Sequence, residues 1–356
     1  MIKFISAKEA AKNWDISHAC VAVLCADNRI LGAEIRGKMW FIPKTAQKPD
    51  NIGCTGFLPD SGMPAKPFLK WAGGKSQILS EIRAKYPTGL GNTITKYAEP
   101  FVGAGAVLFD VLSSCILLDV YISDINRELI QTYICIRDEI DELLEKLKTL
   151  ERRYLRADDN KRNYIYYKCR ERFNFLKLSD SKSPELAALF IFLNRTCFNG
   201  LYRVNRKGEY NVPMGSYRNP TICDADNLRA VSHNLQGAIV VCADFKESRN
   251  FIDKNTFAYF DPPYRPLTVT SSFTSYSQDG FDDRAQADLA RFIDSMSEKG
   301  AYIIASNSDP KNIDSADNFF DELYAKHKIH RISASRMINS VGDSRGKISE
   351  LLIVNS

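Results

Sequence analysis

Thr256-Phe257-Ala258-Tyr259-Phe260-Asp261-Pro262-Pro263-Tyr264 is the stretch that decides how the rest of this chain reads. β-favouring apolar residues that run into an acid and two prolines predict a buried strand stopping abruptly at the edge of a site. Neither proline has an N–H to donate, so carbonyls there stay available as acceptors. A carboxylate, a free carbonyl and an aromatic ring together suit a planar ligand bearing an amino group, such as adenine. Standing alone, the tetrapeptide reads equally well as a strand followed by a Pro-rich turn.

Outward from this strand the sequence alternates. From Pro67 on, strands are expected at 97–101, 116–122, 238–242, 256–260, 301–306 and 351–354, with helical periodicity at 106–112 and 126–150. That alternation predicts an α/β fold with a doubly wound, mostly parallel sheet. The segment 151–235 interrupts the pattern and reads as a mostly helical insertion. The catalytic unit is thus expected at 67–150 and 236–356. Residues 47–66, with Pro49, Gly53, Gly56, Pro59, Gly62 and Pro64, read as a linker.

Residues 1–46 read as a small separate unit. Ser6-Ala7-Lys8-Glu9 is a capping box for a helix through Trp14, and Ser17 can cap a second helix through Ala26. Ile30 to Ile42 reads as a hairpin turning at Arg36-Gly37-Lys38. Two short helices and a β-wing resemble winged helix-turn-helix modules, whose second helix enters the DNA groove. His18-Ala19-Cys20-Val21 carries no arginine for such contacts, so DNA binding and a docking or stabilising role both stay open.

Composition narrows the class. No apolar run reaches the roughly 18 residues of a membrane span, and Met1-Ile2-Lys3-Phe4 does not open a signal peptide. Nine cysteines without a CxxC pair or clustered histidines predict reduced thiols in a cytoplasmic protein and no metal site. Net charge is only +5, but Glu151 to Arg218 holds 15 Lys/Arg against 7 Asp/Glu. Aromatics interleave with those bases, a mixture that suits phosphate contact and base stacking. For Tyr164 to Phe175 a solvated helix with core aromatics is the expected reading.

The first strand of the alternation leads into Glu99-Pro100-Phe101-Val102-Gly103-Ala104-Gly105. Glycines at a strand-to-helix turn allow a ligand close to the backbone. Asp124 follows the second strand, where a doubly wound fold holds the ribose hydroxyls of an adenosine-containing cofactor. The pattern is not GxGxxG, which disfavours a nicotinamide.

With Lys70-Trp71-Ala72-Gly73-Gly74-Lys75 added, residues 68–355 closely resemble the Dam-like family of DNA adenine methyltransferases. The matching blocks are FLKWAGGK (68–75), EPFVGAGAV (99–107), ISDIN (122–126), NRTCFNGLYRVNRKGEYNVPMG (194–215), DPPY (261–264), SFTSY (272–276) and INSVGDSRGKISELLI (338–353). The resemblance implies a Rossmann-like methyltransferase domain, S-adenosylmethionine as methyl donor, no metal, and double-stranded DNA as partner. By position it implies cofactor contacts at Trp71, Lys75, Phe101, Gly103, Gly105, Asp124, Asp244, Phe245 and Asp261. It implies catalytic roles for Asp261, Pro262 and Tyr264, without a cysteine nucleophile. On the DNA side it implies Lys70 and Arg203 at guanine and Phe198, Asn199, Leu201 and Pro213 on a hairpin entering the duplex. The target implied is GATC, and the expected enzyme is a nucleoid-associated monomer, with a cognate restriction endonuclease left open. Methylation of a cytosine amine usually shows serine where this chain has Asp261. RNA adenine methylation, or a DNA-binding regulator with an inactive domain, stays open.

Overall fold

The computed structural model describes residues 3–14, 21, 24–25, 29–36, 39–49, 64–71, 73–179, 183–265, 281–335 and 347–355. Near the amino terminus, β1 (Phe4–Ser6), α1 (Ala7–Trp14), β2 (Glu34–Arg36) and β3 (Met39–Pro43) form a three-stranded antiparallel sheet, ordered β1-β3-β2, with one helix. The Ser6 hydroxyl accepts the Glu9 N–H at 3.2 Å, half of the capping box read from the sequence. The hairpin is present, whereas β1 was not read, three residues being too short for a periodic signal. The second expected helix lies outside the described residues except for Val21, Leu24 and Cys25, which are helical and buried. So do the hairpin's turn residues Gly37 and Lys38 and most of the linker. Ile5, Ala10, Val21, Leu24, Ile30 and Ile42 form a core of their own.

The remaining elements follow in order: α2 (Leu79–Arg83), β4 (Lys96–Glu99), α3 (Ala106–Ser114), β5 (Asp119–Asp124), α4 (Arg127–Asp138), α5 (Ile140–Leu155), α6 (Asp159–Leu178), α7 (Pro184–Thr196), α8 (Ala225–Asn234), β6 (Ile239–Cys242), β7 (Thr256–Phe260), α9 (Asp283–Glu298), β8 (Tyr302–Ser308), α10 (Phe319–Leu323), β9 (Lys328–Ser335) and β10 (Lys347–Val354). Seven strands make one sheet in the order β6-β5-β4-β7-β8-β10-β9. The first five are mutually parallel, and β10 runs antiparallel to both β8 and β9. This is the mostly parallel, Rossmann-like sheet expected from the alternation.

Strand β7 shows why such a sheet reads as a continuous apolar run. All five of its residues are buried, because strands flank it on both edges and helices cover both faces. Phe257 and Tyr259 face a core shared with the helices between Ala106 and Asn234. Ala258 and Phe260 face the other core, with Leu289, Phe292 and Met296 of α9. The helical stretch read as 126–150 is two helices broken at Glu139, whose ψ of 36° leaves the helical range. Position 151 falls inside α5. In α6, Tyr166 and Phe173 are core residues, while Tyr164 and Phe175 are exposed.

Because the amino-terminal core is separate, a chain lacking residues 1–63 should still unfold cooperatively. Its urea midpoint should lie within about 0.5 M of the full chain's. A truncated chain without a cooperative transition would show that the two parts fold as one.

Candidate active site

β4 and β7 are adjacent and parallel, and the strand order reverses between them. Loops leaving their carboxyl ends therefore open into one crevice, the place where doubly wound sheets bind ligands. From β4 comes Glu99-Pro100-Phe101-Val102-Gly103-Ala104-Gly105; from β7 comes Asp261-Pro262-Pro263-Tyr264.

Asp261 is held from two sides. Lys75 Nζ lies 2.7 Å from Oδ2, and the Ser306 hydroxyl donates to Oδ1 at 2.8 Å. Lys75 is only 4% exposed against 20% for Asp261, and its ammonium also donates to the Gly73 carbonyl. The same ammonium sits 4.7 Å from the centre of the Tyr264 ring. Tyr264 in turn donates its hydroxyl to Glu350 Oε2 at 2.7 Å. Burial pushes the Tyr264 phenol well up, and the Asp261 and Glu350 carboxylates add to this, so the group remains a donor. Pro262 is buried, and among the described residues none donates to its carbonyl. Gln286 Nε2 donates to the Pro263 carbonyl at 3.0 Å and is itself held by Asn307. Glu99, fully enclosed, accepts the Tyr97 hydroxyl at 2.7 Å. Burial drives its carboxyl far above the usual range; the Tyr97 bond and Lys75 act against this, and the Asp261 charge with it.

The glycine loop is shaped by its left-handed residues, Gly103 at φ 48° and Gly105 at φ 74°. A Cβ on Gly103 would come within 3.0 Å of the Trp71 indole, so only glycine lets that ring lie against the backbone. The Tyr133 hydroxyl donates to the Gly103 carbonyl at 3.0 Å from below. Asp124, at the end of β5, accepts the Gly103 N–H at 3.2 Å and the Asn126 N–H at 2.8 Å. Burial raises its pKa to about 6 even though these backbone bonds favour the carboxylate. Asn126, not Asp124, caps α4, accepting from the Leu129 N–H at 3.0 Å. Phe101 stacks on Phe245 at 5.6 Å between centroids. Asp244 caps the short turn that carries Phe245, accepting from the Lys246 N–H at 3.0 Å.

The extended segment before Trp71 is held largely by side chains. Asn227 makes a two-way contact with the Lys66 backbone at 2.8 and 3.0 Å, Arg195 donates to the Phe68 carbonyl at 2.8 Å, and Asn194 pairs with the Lys70 backbone at 2.9 and 2.8 Å. Asn194 also donates to the Gly200 carbonyl, and the Gly200 backbone packs against the Lys70 side chain. This joins FLKW to NRTCFNG, two blocks far apart in the sequence. Beyond α7, Phe198 is exposed and Asn199 is left-handed at φ 53°. The segment returns at Pro213, whose carbonyl accepts the Phe198 N–H at 2.9 Å. Leu201 is half-buried, and Arg203 is exposed with its Nε on Asn211 Oδ1 at 2.8 Å. The Lys70 ammonium rests 3.8 Å from the Tyr217 ring centre.

The fold thus brings Lys75, Asp261 and Tyr264 together, gathers Trp71 and Asp124 at the Gly103–Gly105 loop of the adjacent strand, and carries Phe198, Asn199, Leu201, Arg203 and Pro213 on the segment after α7, whose Gly200 packs against Lys70. Sequence reasoning missed Glu99, Gln286, Ser306, Asn307 and Glu350. The polar run Ser306-Asn307-Ser308 ending an apolar strand was the signal that could have found two of them. SFTSY and most of the 338–353 block lie outside the described residues. Among the described residues there is no cluster of three His, Cys, Asp or Glu able to hold a metal, and no helix long and apolar enough to cross a membrane.

The chain is similar to known proteins over most of its length. The family described as D12 class N6 adenine-specific DNA methyltransferase matches residues 71–338. The chain is 48% identical over 296 residues to the type II methyltransferase M.MjaIII of Methanocaldococcus jannaschii, covering 82% of this chain and all of that one. It is 36% identical to a DNA adenine methylase of Haemophilus influenzae, covering 81% and 93% of the two chains. It is 34% identical to a DNA adenine methylase of Escherichia coli, covering 80% and 93%.

The glycine loop yields a direct test. A Cβ on Gly105 would stand 2.8 Å from the Tyr133 hydroxyl and 3.0 Å from Phe109, on top of the cost of a positive φ. Gly208 has a similar φ of 76° and nothing within 4 Å. Urea denaturation should show Gly105→Ala destabilised by about 1–3 kcal/mol and Gly208→Ala by roughly 1 kcal/mol or less. Equal losses would mean that crowding at the loop is unimportant.

Proposed function

The chain belongs to the D12 class of N6 adenine-specific DNA methyltransferases, and from that we propose how its residues divide the work. The crevice between β4 and β7 takes an adenine extruded from duplex DNA beside S-adenosylmethionine, which supplies a methyl group made electrophilic by its sulfonium. The observation that carries this reading is the Asp261 carboxylate, fixed by Lys75 and Ser306 at the end of a buried strand, with the same Lys75 ammonium against the Tyr264 ring.

The residues fit the donor. Asp124 suits the ribose hydroxyls, the Gly103–Gly105 turn gives backbone access to the methionine end, and Trp71 and Lys75 border it. Phe101, Phe245 and Asp244 form the more apolar flank suited to the donor's purine. No step of this chemistry calls for a metal.

The target amine is stacked inside the duplex, and turning it out costs a few kcal/mol. Tyr264 recovers part of that by stacking, on the order of 1–3 kcal/mol. The amine is a poor nucleophile because its lone pair is delocalised into the ring. Asp261 and the Pro262 carbonyl accept its two hydrogens and favour a pyramidal nitrogen, whose lone pair then points at the methyl. A carboxylate offers about four acceptor sites, so Asp261 can receive the amine while keeping Ser306 and Lys75. Once the N–C bond forms, Asp261 takes up the proton that the cationic amine releases.

The exposed segment from Phe198 to Pro213 reads the duplex. Phe198 is an apolar wedge, and Asn199, Leu201 and Pro213 shape the segment that presents it. The terminal nitrogens of Arg203 make no hydrogen bond among the described residues, and with Nε tied to Asn211 they suit the bidentate edge of guanine. Lys70 reaches the same groove. The target we assign is GATC in duplex DNA. Two of the relatives bear type II methyltransferase names, which favours a cognate restriction endonuclease for this chain as well. The enzyme acts as a monomer on the cell's own DNA, in the cytoplasm, and residues 1–46 serve as an accessory DNA-binding or docking unit.

Asp261→Ala should abolish tritium transfer from the labelled donor to duplex DNA, with a loss of about 100-fold or more. Duplex affinity should persist. A variant that still labels DNA at the parental rate would remove Asp261 from the chemistry. Arg203→Ala should relax discrimination at the guanine position by roughly 1–3 kcal/mol, read by sequencing the modified bases. An unchanged sequence preference would refute its assignment.

A further inference from the structure

The Tyr264 hydroxyl has a partner that the chemistry above does not use. Glu350 lies on β10, where it pairs in register with Ser308 of β8 on one side and Ile332 of β9 on the other. Its Oε2 accepts the Tyr264 hydroxyl at 2.7 Å, and Glu350 is half-buried. The aromatic ring is therefore held at two points: the Lys75 ammonium lies 4.7 Å from its centre, and the Glu350 carboxylate takes its hydroxyl end.

From this we propose that Glu350 is a positioning residue: by accepting the Tyr264 hydroxyl it fixes the plane on which the extruded base stacks. The inference rests on the stacking role given to Tyr264. A phenyl ring carried by a short loop can swing about its side-chain bonds, whereas a strand inside an antiparallel ladder cannot. Tethering the hydroxyl to β10 gives the ring the rigidity of the sheet. Stacking depends on ring plane and offset, and a displacement of about 1 Å at a reacting centre can cost 100-fold in rate. The neighbouring anchors act in the same direction. Ser306 holds Asp261, Gln286 holds the Pro263 carbonyl, and the Ser308 hydroxyl donates to the Arg265 carbonyl at 3.1 Å. Glu350 supplies the contact that none of these makes, to the ring itself.

The test uses the full chain, tritiated S-adenosylmethionine and a duplex carrying the methylation site, in single turnover. Glu350→Ala should slow methyl transfer roughly 10- to 100-fold with donor and duplex affinities little changed. Glu350→Gln, which retains a carbonyl acceptor, should recover most of the rate. Tyr264→Phe removes the same hydrogen bond without touching the strand and should match Glu350→Ala. Adding Glu350→Ala to Tyr264→Phe should cause no further loss. A parental rate in Glu350→Ala, failure of Glu350→Gln to rescue, or equal losses in both backgrounds would overturn the proposal. Tyr264→Ala separates the two levels. If it too transfers methyl at the parental rate, stacking itself is wrong; if it is slow while Glu350→Ala is not, only the role of Glu350 falls.

Discussion

An ammonium enclosed against an aromatic ring is tolerable only with a carboxylate beside it, and the Lys75–Asp261 pair meets that condition. Removing a charge from water costs several kcal/mol unless it is paired and hydrogen-bonded. Lys75, nearly inaccessible, has both a carboxylate and the Gly73 carbonyl. The pair locks the 3-10 turn at Lys75–Gln77 to the end of β7, two parts of the chain that share no strand pairing. The glycine loop is built on the neighbouring strand, so the loop and the acid keep a fixed relation. Enclosure pushes the neighbouring Glu99 carboxyl toward its neutral form.

Around that pair the protein spends polar side chains at the ends of strands, not in loops. Ser306, Asn307 and Ser308 are all buried at the end of β8, and each reaches sideways into the DPPY segment or its support. Prolines 262 and 263 cannot join a ladder, so the segment cannot be extended as sheet. Side-chain bonds from the neighbouring strand take the place of the missing backbone ones. Arg265 closes the segment, paired to Asp283 and Asp317 with its guanidinium over Phe319.

How much of this was legible depends on where the signal resides. β7 and its acid were readable because a strand buried on both faces leaves a continuous apolar run. The glycine loop was readable because left-handed turns demand glycine. β9 was not: on the sheet's far edge, Lys328-Ile329-His330-Arg331-Ile332 spaces its isoleucines three apart, so no period-two alternation marks it as a strand. The break at Glu139 was hidden because apolar periodicity continues through it. The supports Gln286 and Glu350 carry no local mark at all. A glutamine in a helix and a glutamate in a strand become part of the site only when distant segments are brought together.

The segment Lys66–Trp71 has a further consequence for redesign. Its backbone is satisfied by Asn194, Arg195 and Asn227, which flank the exposed 198–213 segment in sequence. Replacing that segment together with α7 and α8 would discard those side chains. The floor beneath Trp71 would then lose its hydrogen bonds. A chimera cut at residues 197 and 215 keeps all three stitches in place, whereas one that moves the entire helical block has to carry residues 66–71 along as part of the graft.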